Sequence, residues 1–231
     1  MTKDFEDRAV VVTGGGGALG LAVCRALAER GAELHVPAYS EEDRERLADL
    51  IERGARVETG VDLTEEKAVD AFYDGVEGEL WASVHIAGGF VFGALVDTSV
   101  ADFERMVGMN LRTCWLCSRA AARRMSAGGR MVNVAAKPAL VPSAKVVTYA
   151  ATKAAVAALT TGLAEELADK GIWVNAIAPS VMDTPANREA MPDADQDEWP
   201  KVGEVAETIA FLASPTNAVT RGAIVPVYGR S

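Results

Sequence analysis

The chain has 231 residues, 49% of them hydrophobic, and a formal net charge of −10. This length and composition allow one substantial buried core and exclude an intrinsically disordered protein. The acidic balance argues against nucleic acid and against anionic membrane surfaces as partners, because both attract basic patches. No apolar run reaches the roughly 18 residues that cross a bilayer, and the charged N-terminus lacks the apolar core of a signal peptide. We therefore expect a cytoplasmic protein.

A glycine-rich tract, Thr13 to Gly20, follows the apolar run 9–12, which is typical of a buried parallel strand. An amphipathic helical pattern begins directly after it. Glycines allow a tight turn and a close approach of backbone N–H groups to a pyrophosphate, and the helix N-terminus adds partial positive charge. The tract therefore predicts a dinucleotide-binding loop, with these candidate residues: Gly14, Gly15, Gly17, Ala18, Leu19 and Gly20.

Strand-like and helix-like segments alternate along the rest of the chain. The predicted strands cover residues 9–12, 33–38, 56–60, 80–87, 130–135, 172–178 and 223–227. After the first helix, further helices are predicted at 40–53, where Ser40 is the N-cap, and at 64–75, 99–125, 148–169 and 202–213. The helix 99–125 must bend, because Gly108 and Asn110 interrupt it, and residues 180–200 are predicted to form a loop.

This alternation predicts an α/β protein: a single-domain Rossmann fold with a doubly wound parallel sheet of seven strands and helices on both faces. Ligands of such sheets bind at the carboxyl ends of the strands. We therefore expect the strand-end segments to converge on one crevice, namely residues 14–20, 38–40, 62, 87–89 and those after 135 and 179.

Three cysteines, Cys24, Cys114 and Cys117, are too few for a disulfide framework. Cys114 and Cys117 have the spacing of a redox or metal motif. They lie within a predicted helix, no second ligand pair is present, and His35 and His85 are distant in sequence. We predict that these cysteines are buried in the core and that the protein has no metal site.

Tyr149 and Lys153 are the strongest catalytic candidates. Four residues apart on a predicted helix, they share one face. An ammonium beside a phenol favours the phenolate, so that a tyrosine with a reference pKa of about 10 becomes an acid or base usable near neutral pH. The pair opens the helix after the fifth strand, on the side where the ligand is expected.

The chain resembles the short-chain dehydrogenase/reductase family over almost its whole length. The glycine tract is similar to the family's T-G-x3-G-x-G loop, and further similar positions are Asp62, Ala87, Gly88, Asn110, Tyr149, Lys153, Pro179 and Thr184. The resemblance implies that Tyr149 exchanges a proton with a small-molecule substrate, that Lys153 holds the nicotinamide ribose and lowers the tyrosine pKa, and that Asn110 continues the proton relay. It also implies cofactor contacts from Leu63 and Val181, and a homodimer or homotetramer formed through the long helices.

The chain departs from the family pattern in four places: Ala18 replaces a glycine, His85-Ile86 replaces two asparagines, Arg221 replaces a threonine, and Ala136 occupies the position of the catalytic serine. Ser143 and Thr148 lie nearby in sequence, but neither matches that position. The dihydropteridine reductase branch of the family also has alanine at this position. Several strings resemble that branch, namely those at the glycine loop, at 87–90 and at 136–140, and the most specific is the segment from Met182 to Trp199. This resemblance implies a planar conjugated substrate such as quinonoid dihydropteridine, with four candidate substrate-binding residues: Ala136, Phe90, Ser143 and Trp199.

Two other functions stay open. One is a reductase or dehydrogenase of ordinary ketones and alcohols, for example of 3-oxoacyl type, in which water or Ser143 replaces the serine. The other is a non-catalytic nucleotide-binding regulatory protein. The presence of Tyr149, Lys153 and Asn110 together argues against the regulatory protein, since a pure binder needs no proton relay.

The residue at the end of the second strand bears on the choice of cofactor. An acidic residue there binds the ribose 2′-OH of NAD and repels the 2′-phosphate of NADP. Ala38 removes that repulsion, and Ser40 is placed to bind the phosphate, whereas the acids 41–43 are unfavourable neighbours. The sequence therefore slightly favours NADP(H) over NAD(H).

Overall fold

The structure is a computed structural model that describes residues 3–231. Its strands are β1 (Ala9–Thr13), β2 (Glu33–Pro37), β3 (Arg56–Glu58), β4 (Leu80–His85), β5 (Arg130–Val134), β6 (Trp173–Pro179) and β7 (Ile224–Val227). Its α-helices are α1 (Ala18–Ala28), α2 (Glu41–Arg46), α3 (Ala48–Glu52), α4 (Glu66–Asp74), α5 (Val100–Met106), α6 (Thr113–Arg124), α7 (Val147–Glu166), α8 (Pro185–Ala190) and α9 (Val202–Ala213).

All strand pairs in the sheet are parallel, and the strand order is β3-β2-β1-β4-β5-β6-β7. The chain therefore runs outward from β1 to β3, returns to pair β4 with β1, and continues outward to β7. This order confirms the predicted doubly wound Rossmann fold. The switch point lies between β1 and β4, where the glycine tract leaves the sheet, and a crevice forms there at the carboxyl ends of the strands.

Successive side chains along β1 point to opposite faces of the sheet, so the core is divided into two layers. Val10 and Val12 pack with α1 and α9 on one face of the sheet, whereas Ala9 and Val11 pack with α4, α6 and α7 on the other. Every residue of β1 is buried. A strand covered on both faces has no polar side, which explains its uninterrupted apolar sequence.

The long helix predicted at 99–125 bends as expected. Residues Val107–Arg112, which include Gly108 and Asn110, form a π-helical segment between α5 and α6. The helix predicted at 40–53 is instead divided at the buried Leu47 into α2 and α3. Ser40 caps α2 as predicted, since its Oγ accepts a hydrogen bond from the Asp43 N–H at 3.2 Å.

The segment 180–200 differs most from its prediction as a loop, because it contains α8 and a 3-10 turn at Gln196–Glu198. Thr184 caps α8 and Pro185 occupies its first turn. None of the residues of α8 is buried, so the apolar periodicity that indicates a helix in sequence is missing here.

The three cysteines are free and buried, which confirms the predicted burial of Cys114 and Cys117. Within residues 3–231, no helix has the length and apolar character to cross a membrane. The same range holds no group of three or more His, Cys, Asp or Glu residues arranged to bind a metal ion.

Candidate active site

The glycine loop is shaped by close backbone contacts. Gly14 has a φ of +68°, and a Cβ at this position would lie 2.8 Å from the Ala87 nitrogen at the end of β4. A Cβ on Gly20 would lie 2.0 Å from the Gly14 carbonyl oxygen. Gly17 is the N-cap of α1, and no acidic residue stands in the first turn of that helix. The loop therefore leaves the α1 N-terminus accessible to a phosphate, as a pyrophosphate-binding loop requires.

The segments after β2 and β3 lie on one side of the glycine loop. Ala38 is buried, and Asp62 Oδ1 accepts hydrogen bonds from the backbone and hydroxyl of Thr64 at 2.9 and 2.7 Å. A Cβ on Gly16 would lie 2.6 Å from Asp43 Oδ1, and Arg46 Nη1 is 3.5 Å from the Gly16 carbonyl oxygen. One carboxylate and one guanidinium thus adjoin the glycine loop. Asp43 belongs to the acids 41–43 that the sequence indicated as unfavourable neighbours, whereas Arg46 was not predicted there.

Tyr149 and Lys153 lie one turn apart at the start of α7, as predicted. The Lys153 ammonium donates to the Val134 carbonyl at 2.8 Å and lies 6.0 Å from the centre of the Tyr149 ring. Burial lowers the pKa of Lys153 to about 8 and raises the pKa of Tyr149 to about 12. In this arrangement the tyrosine pKa is therefore not lowered, because the phenol is buried and the Lys153 ammonium is bound to the Val134 carbonyl.

Asn110 joins three elements at the site. Its Oδ1 accepts the Gly89 N–H at 2.9 Å, while its Nδ2 donates to the Gly89 carbonyl at 3.1 Å and to Thr152 Oγ1 at 3.2 Å. A Cβ on Gly88 would lie 2.6 Å from Asn110 Oδ1 and 3.4 Å from Lys153 Nζ. The π-helical segment therefore holds the loop after β4 against α7, and it brings Asn110 beside Lys153.

An aromatic pair lies at the start of α7. The Phe90 ring packs edge-on against Tyr149, with 4.9 Å between ring centres and an angle of 77° between ring planes, and Phe90 is 58% exposed. Ala136 is buried at the end of β5, and the 3-10 turn that follows it, Lys137–Ala139, packs against α7. Ser143 lies on the exposed part of the same loop. Trp199 is only 6% exposed, so little of its ring is available to a substrate.

The residues after β6 complete the crevice. Pro179 ends β6 and Val181 is partly exposed, while Thr184 Oγ1 accepts the Asn187 N–H at 3.2 Å as the N-cap of α8. The Asp183 carboxylate binds both Arg188 and Lys201. The sequence analysis missed this cluster, because an aspartate and two cations separated by up to 18 residues give no local signal.

A buried polar network under the site was missed as well. His85 Nδ1 lies 2.7 Å from Asn133 Oδ1, and His85 Nε2 lies 2.8 Å from the Ser83 hydroxyl. The Ser83 hydroxyl is in turn 2.7 Å from that of Tyr73. Burial lowers the pKa of His85 to about 4. In the sequence, only the departure of His85 from the family pattern pointed to this network.

Comparisons with known proteins agree with this architecture. The family model described as short chain dehydrogenase matches residues 8–195. The chain is 37% identical to galactitol 2-dehydrogenase of Rhizobium johnstonii, covering 96% of this chain and 94% of that one. It is also 37% identical to cis-4-hydroxycyclohexanecarboxylate dehydrogenase of Sinomonas cyclohexanicum, with 99% and 98% covered. A short chain dehydrogenase from Burkholderia cenocepacia J2315, solved in complex with NADP, superimposes with a TM-score of 0.87 at 29% identity, and 98% of each chain is covered.

Proposed function

Since this chain belongs to the short-chain dehydrogenase/reductase family and is an NAD(P)-dependent oxidoreductase, we propose that it reduces a planar conjugated substrate such as quinonoid dihydropteridine. The observation that carries this proposal is the buried methyl group of Ala136 at the end of β5. At the position that resembles the family's catalytic serine, this side chain has no hydroxyl to polarise a carbonyl.

The residues of the crevice fit a nicotinamide dinucleotide. The glycine loop and the α1 N-terminus would hold its pyrophosphate, and the buried Lys153 would hold its nicotinamide ribose. When bound in its reduced form, the cofactor supplies a hydride.

In the proposed reaction, Tyr149 donates its phenolic proton to the substrate. The positive charge of the Lys153 ammonium, which lies 6.0 Å from the centre of the Tyr149 ring, would stabilise the phenolate that results. Asn110 keeps the loop after β4 in place beside both residues.

The surroundings of Tyr149 favour a flat substrate. Phe90 exposes more than half of its surface next to the phenol and offers a face for stacking. Hydride addition to a conjugated ring system needs a proton donor but less carbonyl polarisation than reduction of a simple ketone. A site with Tyr149 but without the serine hydroxyl suits the conjugated substrate better.

The relatives favour a second candidate, the oxidation of alcohols or the reduction of ordinary ketones. Both relatives described above are named as dehydrogenases, one of galactitol and one of a hydroxycyclohexanecarboxylate. For such a reaction, water or the exposed Ser143 would have to take the place of the missing serine hydroxyl.

Oxidation of NADPH and NADH by the purified protein separates the two candidates. Quinonoid dihydropterin is offered beside ketones, aldehydes and quinones, and the matching alcohols are tested with NADP⁺ and NAD⁺. We expect pterin turnover that Tyr149→Phe lowers by about 10²-fold or more and that Ala136→Ser does not raise. Turnover confined to ordinary carbonyls or alcohols, or a large gain in pterin reduction with Ala136→Ser, would contradict the pterin proposal.

NADP(H) is the proposed cofactor, as the sequence slightly favoured. Ala38 carries no charge against a 2′-phosphate, and Arg46 brings a cation to the glycine loop. Asp43 at the same loop and the Glu42 carboxylate paired with Arg46 oppose this preference. The Ser40 hydroxyl already accepts a hydrogen bond from Asp43, but it can still donate one to a phosphate.

We further propose that the protein is a homodimer or homotetramer. Four large apolar side chains on α5, α6 and α7 are between 46% and 73% exposed: Val100, Phe103, Trp115 and Val147. Apolar side chains exposed together on neighbouring helices are typical of a subunit interface.

A further inference from the structure

The Asp183 carboxylate closes the segment 184–200 into a loop whose two ends meet. Asp183 Oδ2 accepts hydrogen bonds from Arg188 Nη2 at 2.8 Å and from Lys201 Nζ at 2.7 Å, and Arg188 Nε donates to Oδ1. The Asp183 N–H also donates to the Pro200 carbonyl at 3.0 Å. One side chain therefore joins the start of the segment both to α8 and to the residue that follows its end.

The two ion pairs are more protected from solvent than ordinary surface pairs. The Asp183 side chain is 12% exposed, whereas those of Arg188 and Lys201 are 47% and 46% exposed. The fork of Arg188 binds both carboxylate oxygens, a geometry that adds strength and fixes orientation. The hydrogen bonds to Arg188 and Lys201 hold the pKa of Asp183 far below its usual range, so the carboxylate stays charged at every pH at which the enzyme would be assayed.

Little else holds the segment in place. None of residues 185–198 is buried, and Trp199 and Pro200 are the first buried residues at its end. Two more hydrogen bonds tie it to residues outside: Asn187 Nδ2 donates to the Met182 carbonyl at 2.8 Å, and the Arg230 N–H donates to the Glu198 carbonyl at 3.0 Å. Its other polar contacts run within the segment, for example from Gln196 Nε2 to the Met191 carbonyl at 3.2 Å. A segment with few buried apolar contacts depends on such bonds for its position and opens easily without them.

We propose that Asp183 is a positioning residue that latches the segment 184–200 over the crevice. Asp183 directly precedes Thr184, whose position resembles the threonine beside the nicotinamide. The inference therefore rests on the proposed oxidoreductase function, but not on the choice of substrate. The latch keeps the binding-competent form of the crevice dominant, so that none of the binding free energy of cofactor and substrate is needed to close it.

Asp183→Asn tests the latch, because it removes the charge and keeps the shape. Loss of the charge-assisted bonds should increase amide hydrogen exchange of residues 184–198 about tenfold, measured by mass spectrometry. The Kd of NADPH, from fluorescence titration, and the KM of whichever substrate turns over should each rise about five- to tenfold, whereas kcat should change less than about twofold. A merely structural role would not divide KM from kcat in this way.

Asp49→Asn is the matched control, since Asp49 pairs with Arg25 at 3.2 Å on the surface of α1 and α3. We expect it to leave exchange of 184–198, cofactor binding and KM unchanged. Arg188→Gln and Lys201→Gln each remove one arm of the latch and should give partial effects. Combined with Asp183→Asn, either substitution should add little to the changes in exchange, Kd and KM, because the charged partner of Arg188 and Lys201 is already lost. They also keep the test open if Asp183→Asn folds poorly.

Unchanged exchange, or increased exchange with unchanged NADPH binding and KM, would overturn the latch. Neither measurement depends on pterin turnover. The native protein could fail to reduce pterin while Asp183→Asn shows tenfold faster exchange and weaker NADPH binding. That combination would count against the proposed substrate and would support the latch.

Discussion

At the scale of single residues, His85 shows how one side chain couples this fold to pH. Its ring is 4% exposed, and its contacts are uncharged: Ser83, Tyr73, Ser118 and Asn133. Protonation would place an unpaired charge in the core, so the folded protein holds the ring neutral and the pKa of His85 falls from 6.5 to about 4.

We predict that His85 destabilises the folded protein in mild acid. Because the folded-state pKa lies below the unfolded value, the unfolded chain binds the extra proton first. Stability is therefore lost as pH falls below 6.5, by about 2 kcal/mol at pH 5. His85→Asn, which cannot titrate, should lose less stability between pH 8 and pH 5 in urea unfolding than the native protein. Equal losses in both proteins would show that other groups cause the acid sensitivity.

Ala38 supports the proposed preference for NADP(H), because it carries no charge just after β2. An aspartate here would accept a hydrogen bond from the ribose 2′-OH of NADH and repel the phosphate of NADPH. We predict that Ala38→Asp shifts the ratio of kcat/KM for NADPH and NADH at least tenfold towards NADH, as about 1.4 kcal/mol of charge repulsion would. A melting temperature close to that of the native protein is the control for folding. If the ratio of kcat/KM for the two cofactors were unchanged, the 2′-phosphate would not bind beside residue 38.

At the scale of elements, the glycine loop and α1 form one unit. The pattern of glycines in the sequence could not show which of them are indispensable. The structure does, because a Cβ on Gly20 meets the Gly14 carbonyl at 2.0 Å, whereas a Cβ on Gly203 in α9 meets nothing within 4 Å. Backbone atoms cannot move aside as a flexible side chain can.

We predict that Gly20→Ala pushes α1 away from the loop, costs about 1–3 kcal/mol of stability and abolishes detectable NADPH binding. Gly203→Ala, the matched substitution, should leave binding intact and change stability by at most about 1 kcal/mol in either direction. Thermal unfolding and NADPH titration of both variants measure these effects. Normal NADPH binding by Gly20→Ala would show that the loop has more room than its backbone contacts indicate.

The predictions for two segments, one as a single helix and one as a loop, differ most from the structure, and both differ for the same reason. Residues 41–52 and 185–190 form short helices that bury little: α2 and α8 have no buried residue, and α3 buries only Leu50. Their ends are set by caps and by side-chain pairs such as Arg46 with Glu42, not by an apolar stripe. The longer helices, such as α7 and α9, pack against the sheet, and their sequences predicted them within a few residues.

At the scale of the whole molecule, the proposed homodimer or homotetramer rests on the exposed apolar residues of α5, α6 and α7. We predict that light scattering after size-exclusion chromatography gives two or four times the monomer mass. Phe103→Asp should shift the mass towards the monomer, because it places a charge in the apolar interface. Phe211→Asp, at an exposed position on α9, is the matched control and should leave the mass unchanged. A monomer in the native protein would contradict the proposed oligomer.

The amino-acid sequence alone is enough to predict the parallel sheet, its seven strands and the positions of Tyr149, Lys153 and the glycine loop. These features follow from local patterns, namely apolar runs, turn residues and a spacing of four on a helix. Only the tertiary structure decided which distant groups meet: Asn110 with Gly89, His85 with Asn133, and Asp183 with Lys201. It also decided that burial raises the Tyr149 pKa while Lys153 donates to Val134. Such pairings depend on the packing of segments far apart in the chain, and no local spacing encodes them.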